Sequence, residues 1–306
     1  MSLPDWFRIA WQNDAARYRA NDAWHTLTLA CNRTVETAYP LTNMQSQRPN
    51  FPAAIVMTGQ TSAEITDVDS EDDFRTANCF SLHNHNLPAG TTVRLQLYDA
   101  INQGGSLVFD SDDTEGLANV ENMIPMGADI AGIDPIEGAY EEEGKLKTHF
   151  SMWFPDVLYK SHKITITNAD GFTNDVILID KLWLAYAHSF DYGPSYDWDW
   201  GVNEDNDTQT PLAGGGYETI NGGVTPRRMT LPFELLTQME RHVFRYIMGR
   251  AGNGSGKGDD LLITMDPNDM KSQKYETTSI YVRLNDQSFR ARIFNGNNTE
   301  LALGEN

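Results

Sequence analysis

Apolar residues in this chain come in short alternating runs, cut by turns rich in glycine, proline and asparagine; that pattern suits antiparallel sheets and does not suit a helical bundle. In Thr92–Tyr98, Val93, Leu95 and Leu97 fall on one side and Arg94 and Gln96 on the other, because successive strand side chains point to opposite faces. Asn86-Leu87-Pro88-Ala89-Gly90 leads into this run and Asn102-Gln103-Gly104-Gly105 leads out of it, toward Leu107-Val108-Phe109. A hairpin is the natural reading. Lys163–Thr167 alternates in the same way, Asn168-Ala169-Asp170-Gly171 turns, and the apolar Val176–Leu184 reads as a central strand. Such runs extend from about Trp24 to Phe190 and predict a jelly-roll-like antiparallel β-sandwich.

A chain of 306 residues is long enough for two domains. Between Tyr192 and Gly223 the composition shifts to Tyr, Trp, Asp, Asn and Gly, which places a boundary near Pro194. Residues 1–193 are then the sandwich with an N-terminal extension, and 194–306 a smaller β-rich domain with one packed helix. In the second part, Met229, Leu231, Phe233 and Leu235 alternate with polar residues, and Pro232 marks that run as an edge strand. Exposed edges invite pairing with another chain, so these four residues are the candidate assembly interface. Thr237-Gln238-Met239-Glu240 has capping-box form, and Met239, Val243, Tyr246 and Ile247 recur at helical spacing. Strands are expected again at Leu261–Met265, Ser279–Leu284 and Phe289–Phe294.

Net charge narrows the partners. At −20, spread along the chain, the surface repels phosphate backbones, so no nucleic acid is expected. No apolar stretch is long enough to span a membrane, and the amino terminus has no signal-peptide pattern, so the chain is expected to be made in a cytoplasm. Cys31 and Cys79 are too few and too far apart for a disulfide framework or a zinc knuckle, and read as buried free thiols. Gly252-Asn253-Gly254-Ser255-Gly256-Lys257-Gly258 has the composition of a phosphate loop but not its spacing, and reads as a plain loop.

Three constellations remain. Asp67, Asp69, Asp72 and Asp73, with Glu71, form an acidic run that is either a solvated loop or a set of exposed ligands for a hard cation such as calcium; no other cofactor is expected. His83 and His85 lie two apart, on one face of a strand, where such a pair can ligate a metal; no third ligand follows at a recognisable spacing, and hydrogen-bonded histidines at a sheet end are the plainer reading. Trp198 and Trp200 alternate with aspartates and are candidates for contact with a saccharide or a partner, or for packing between domains. No nucleophile elbow appears, and nothing selects a catalytic pair among the 43 acidic residues, so no enzyme is expected.

Tyr39-Pro40-Leu41-Thr42-Asn43-Met44, the stretch Phe80 to Leu95 with its His83-Asn84-His85-Asn86-Leu87 core, and Ile164–Ile166 through Asp170-Gly171 to Ile179–Leu184 resemble a group of phage and prophage tail proteins. The first half of those proteins is similar to the galactose-binding-like, or discoidin-like, sandwich. Phe190–Gly193, Arg227–Leu231, Glu240 and Ile280–Leu284 follow the order of their second half, while Ala185 stands where a glycine often follows. The resemblance implies a virion structural protein at the distal tail or tail tip (baseplate) of a long-tailed phage. Its implied partners are copies of itself in a ring, the tail tube, and the tape-measure and hub proteins. An accessory adhesin holding host surface saccharide is the alternative, and a cell-wall hydrolase the least favoured reading.

Overall fold

The computed structural model describes residues 7–10, 13–15, 17–20, 23–45, 51–68, 73–88, 91–112, 149–172, 175–191, 194, 199–202, 208–212, 216–220, 227–233, 237–251, 260–264, 279–284 and 299–305. Strands dominate, and every pairing is antiparallel, as the alternating runs require. The chain opens with β1 (Arg8–Ala10), β2 (Arg17–Ala20), β3 (Ala23–Thr26) and β4 (Thr28–Cys31). A short 3-10 turn at Leu41–Gln45 precedes β5 (Ala53–Val56), β6 (Ser62–Val68), β7 (Arg75–His85), β8 (Thr92–Tyr98) and β9 (Leu107–Asp110). Then come β10 (His149–Tyr159), β11 (Ser161–Thr167), β12 (Val176–Ala185) and β13 (Ala187–Ser189). The remainder holds β14 (Asp199–Val202), β15 (Thr208–Leu212), β16 (Gly216–Ile220), β17 (Arg227–Phe233), helix α1 (Gln238–Ala251), β18 (Asp260–Thr264), β19 (Ser279–Leu284) and β20 (Thr299–Glu305).

The sandwich has a four-stranded sheet in the order β10-β7-β12-β5 and a five-stranded sheet in the order β4-β6-β11-β8-β9. Val93, Leu95 and Leu97 are buried beside Ile65, Ile164 and Ile166, the inward positions of the neighbouring strands. The β8–β9 hairpin and the central place of β12 are as the sequence indicates. The two cysteines are free; Cys79 is fully buried, which pushes its thiol pKa up, while Cys31 is only partly covered.

Three asparagine side chains extend the sheets where strands run out. Past the end of β5, Asn13 donates through Nδ2 to Leu182 O (2.7 Å) and accepts from Leu184 N–H (3.1 Å) on the open side of β12. Asn78 does the same for both groups of Ala187, and Asn86 for Val176 O and Leu178 N–H. A primary amide carries one acceptor oxygen and two donors, so it can replace a peptide unit in a ladder.

Beside the two-stranded pairs β2-β3 and β15-β16, the remaining strands form a seven-stranded sheet in the order β13-β1-β18-β19-β20-β17-β14. In it β1 is inserted between β13 and β18, pairing Ile9 with His188 on one side and with Ile263 on the other. The sheet corrects the edge-strand expectation, because β17 is interior, flanked by β20 and β14. Leu231 and Phe233 are buried within the chain, so they are not an exposed assembly edge; Met229 is paired on both sides through its backbone, and Leu235 lies outside the described residues. Among the described residues, pairing with β14 stops at Thr230 and β20 alone runs alongside Pro232, so the missing N–H breaks no second described ladder. The strand at Phe289–Phe294 also falls outside the described residues, whereas β20 was not foreseen.

Helix α1 starts at the capping box that the sequence indicates. Glu240 N–H donates to Thr237 Oγ1 (3.3 Å), and Glu240 Oε2 accepts from Thr237 N–H (2.5 Å), so two donors of the first turn are satisfied reciprocally. Glu240 Oε1 also accepts from Asp191 N–H (2.7 Å), tying the helix to the exit of the sandwich. Thr237→Ala is expected to lower unfolding free energy by about 1 kcal/mol. Urea denaturation with unchanged slope checks it, and a loss below about 0.3 kcal/mol would deny the cap its role.

Candidate functional site

At one end of the sandwich, the end of β6, the start of β7 and the β10–β11 turn converge around Asp67. Alternation along β6 turns Ala63, Ile65 and Asp67 inward, so a carboxylate ends an otherwise apolar row and is fully buried. Its charge is met from three sides. Arg75 Nη2 donates to Oδ2 at 2.8 Å, His162 N–H donates to Oδ1 at 2.7 Å, and Gln103 Nε2 donates to Oδ1 at 3.0 Å. His162 Nδ1 lies 3.4 Å from Oδ2, an ionic contact whenever the ring is protonated.

The donors are themselves held. Gln103 N–H donates to Ser161 Oγ (2.8 Å), and that hydroxyl donates to Ala100 O (2.6 Å). Asn102 and Gln103 both have left-handed φ, 53° and 57°, a conformation non-glycine residues adopt only when neighbours fix it. Arg75 Nη2 also donates to Lys160 O, and its guanidinium sits 4.8 Å above the ring of Tyr159, its register partner. Burial by itself pushes Asp67 toward the neutral acid. The His162 ring and the Arg75 guanidinium outweigh it and hold the carboxyl well below the usual range; Arg75 is charged at every relevant pH.

The residues next to this network point outward. Phe74 precedes Arg75, and Leu158 precedes Tyr159; they are 54% and 55% exposed, among the least covered large apolar side chains. Lys160 Nζ lies 4.3 Å from the centre of the Phe74 ring, a cation–π contact. Phe74, Leu158 and Lys160 thus form an apolar patch with a basic rim on the outer face of the β10–β7 pair.

The acidic run, which the sequence leaves as either a solvated loop or a set of exposed calcium ligands, is redefined at its first member by this geometry. Asp67 is an internal ion-pair partner, not an exposed ligand; its inward position on β6 is the reason. Asp69 and Asp72 lie outside the described residues, and Asp73 is half-buried beside Phe74. Among the described residues, no group of three or more His, Cys, Asp or Glu is placed to hold a metal. Trp198 also lies outside them, and Trp200 is placed on β14 opposite Met229 by its backbone.

His83 and His85 are both buried on β7, as hydrogen-bonded sheet residues would be. His83 Nε2 is 2.9 Å from Ser81 Oγ, which is 2.7 Å from Ser151 Oγ on β10. Lys181 of β12 is opposite His83. Sequence reading passed over Arg75, Gln103, His162, Phe74 and Leu158. The signal available for the first was an arginine that alternates with Ala77 and Cys79 on the buried face of its strand.

No protein-family model matches the chain. No curated protein matches it either. Among solved structures, it is similar to a family 32 carbohydrate-binding module of C. perfringens NanJ in complex with galactose: TM-score 0.33 and 13% identity over 58% of this chain and 99% of that one. Chitosan-binding module 1 of a chitosanase/glucanase from Paenibacillus sp. IK-5 gives TM-score 0.34 and 9% identity over 52% of this chain and 95% of the module. A fucosidase of Ruminococcus gnavus gives TM-score 0.33 and 11% identity over 53% of this chain, and the match spans only 25% of the fucosidase. The likeness is thus to β-sandwich carbohydrate-binding modules in outline. At these scores it assigns neither ligand nor activity to this chain.

Proposed function

We propose that this protein is a non-catalytic structural component of the distal tail or tail tip of a long-tailed phage, and that the loop end of its sandwich is the contact surface for a neighbouring tail protein. The observation that carries the contact role is the exposed Phe74–Leu158 pair mounted directly on the buried Asp67–Arg75–Gln103 network. Rigid mounting lowers the ordering cost of binding, and a large aromatic at the centre of a patch is the usual energetic anchor of an interface. The phage setting rests on the sequence resemblance of Tyr39–Met44, Phe80–Leu95 and Ile179–Leu184. With Leu231 and Phe233 buried, the assembly role passes from the second half to the sandwich.

A framework role for the polar groups supports action without chemistry. The Ser81–His83 contact has nucleophile-and-base form, yet the Ser81 hydroxyl is fully buried and shared with Ser151. The second reading, an accessory adhesin for host saccharide, is favoured by one feature: an exposed aromatic ring flanked by a lysine can stack on a sugar.

Phe74→Ser with Leu158→Ser is expected to leave the melting temperature within about 2 °C, since both side chains are exposed, and to cut incorporation into particles at least tenfold. Quantitative immunoblotting of purified virions from complemented phage measures this. Full incorporation of a folded double variant would overturn the contact assignment, and glycan-array binding abolished by Phe74→Ser would favour the adhesin.

A further inference from the structure

The first strand carries a cation into the interior. Arg8 of β1 is 4% exposed, and its Nε and Nη1, which hold three of the five guanidinium N–H donors, are buried with no hydrogen-bond partner. Burial pulls its pKa down, and the Cys79 thiol, the Asp156 carboxylate and Tyr186 offset that only in part. Asp156 is engaged elsewhere: its Oδ1 accepts from Asn78 Nδ2 at 2.9 Å, and it leaves the buried Arg8 donors unmet. A guanidinium does not give up its proton inside a protein, so a charged donor set stands desolvated and unanswered, which is costly unless an acceptor arrives from outside the chain.

Two hydroxyls stand near it. Ser189 is the register partner of Arg8 across the β1–β13 pair, so the two side chains share a face, and Ser189 Oγ is likewise buried without a partner. Tyr186, in the single-residue gap between β12 and β13, is 38% exposed and lies within the field of Arg8, so the site meets solvent on that side. We infer that Arg8, Ser189 and Tyr186 form a receptor for a carboxylate group supplied by a ligand outside this chain. A guanidinium fork matches the two oxygens of a carboxylate, and hydroxyls can donate to the same anion. A monoanion is preferred to phosphate, because Asp156 stands at the flank and the whole chain carries −20.

The test uses the full chain in sodium acetate, against sodium chloride and sodium phosphate at equal ionic strength. Acetate at about 100 mM should raise the melting temperature by a few degrees and saturate, with a Kd on the order of 1 mM as suits so small a ligand. N-acetylaspartate amide, which presents the same group as a protein side chain does, separates the sources: a matching rise assigns the receptor to an acidic side chain of a partner, and a response to acetate alone assigns it to a free small acid. Arg8→Met should abolish the acetate response while keeping or raising the melting temperature in chloride, since an apolar chain of similar length replaces an unpaired buried charge. Tyr186→Phe should melt near the parent and bind acetate several-fold more weakly. A fall of several degrees in Arg8→Met would show that the guanidinium is satisfied within the fold and would overturn the receptor. So would equal responses to acetate and chloride, or a stronger response to phosphate.

Discussion

Replacing Arg75 by methionine is expected to cost about 3–5 kcal/mol of unfolding free energy, because it strands the Asp67 carboxylate without its permanent counter-charge in a fully buried site. The two hydrogen bonds left to Asp67, from His162 N–H and Gln103, satisfy its geometry but not its charge. Guanidinium denaturation measures the loss. The double variant Asp67→Leu/Arg75→Met should recover most of it, since replacing both members of a buried pair removes the desolvation cost along with the attraction. A loss below about 1 kcal/mol in Arg75→Met would mean that the pair is peripheral. The sign of the pH dependence follows from the lowered Asp67 pKa. Its contribution is fully present above the ordinary carboxylate value of roughly 3.9 and is lost as pH falls below that toward the folded-state value. The parent should therefore lose stability on acidification through that window more steeply than the double variant.

The second large effect is expected at Phe190→Ala, at about 3–5 kcal/mol. Phe190 is buried at the exit of the sandwich, with ring centroids 5.4 Å from Phe7, 5.9 Å from Phe233 and 5.0 Å from Phe244. One ring thus touches the residue before β1, the end of β17 and helix α1. Truncation removes shared packing from three elements at once. Calorimetry should show the single transition split in two, the sandwich melting near its parental temperature and the seven-stranded sheet well below it. A uniform shift of one transition would show that the two sheet systems are coupled by something other than this cluster.

Much of the fold was legible because its strands are short, alternate cleanly and are closed by local turns: Thr92–Tyr98 and Ser279–Leu284 coincide with β8 and β19, and Thr237-Gln238-Met239-Glu240 opens α1. These features depend on neighbours in sequence. What was not legible depends on distant ones. Pro232 suggests an edge strand, but not that β14 pairs with the same strand two residues earlier, at Thr230. Asp67 looks like the first member of an acidic loop, and only the inward turn of β6 and the arrival of Arg75 and His162 make it part of the core. Phe74, just before β7, and Leu158, on β10, adjoin the inward Arg75 and Tyr159, so their outward position breaks the usual apolar-in rule.

The position of β1 also bears on how the chain emerges from the ribosome. Its partners are β13 and β18, so Arg8 must wait for Ser189 and then for Thr264. The sandwich strands, Thr28 to Ala185, are complete long before the last of these is made. Vectorial synthesis would thus yield a folded sandwich whose β1 has β13 on one side and nothing yet on the other, a sticky intermediate until Asp260–Thr264 is made. Closing a sheet across such sequence separations is slow, which makes the rate of assembly of this protein a matter of when its first strand finds its place.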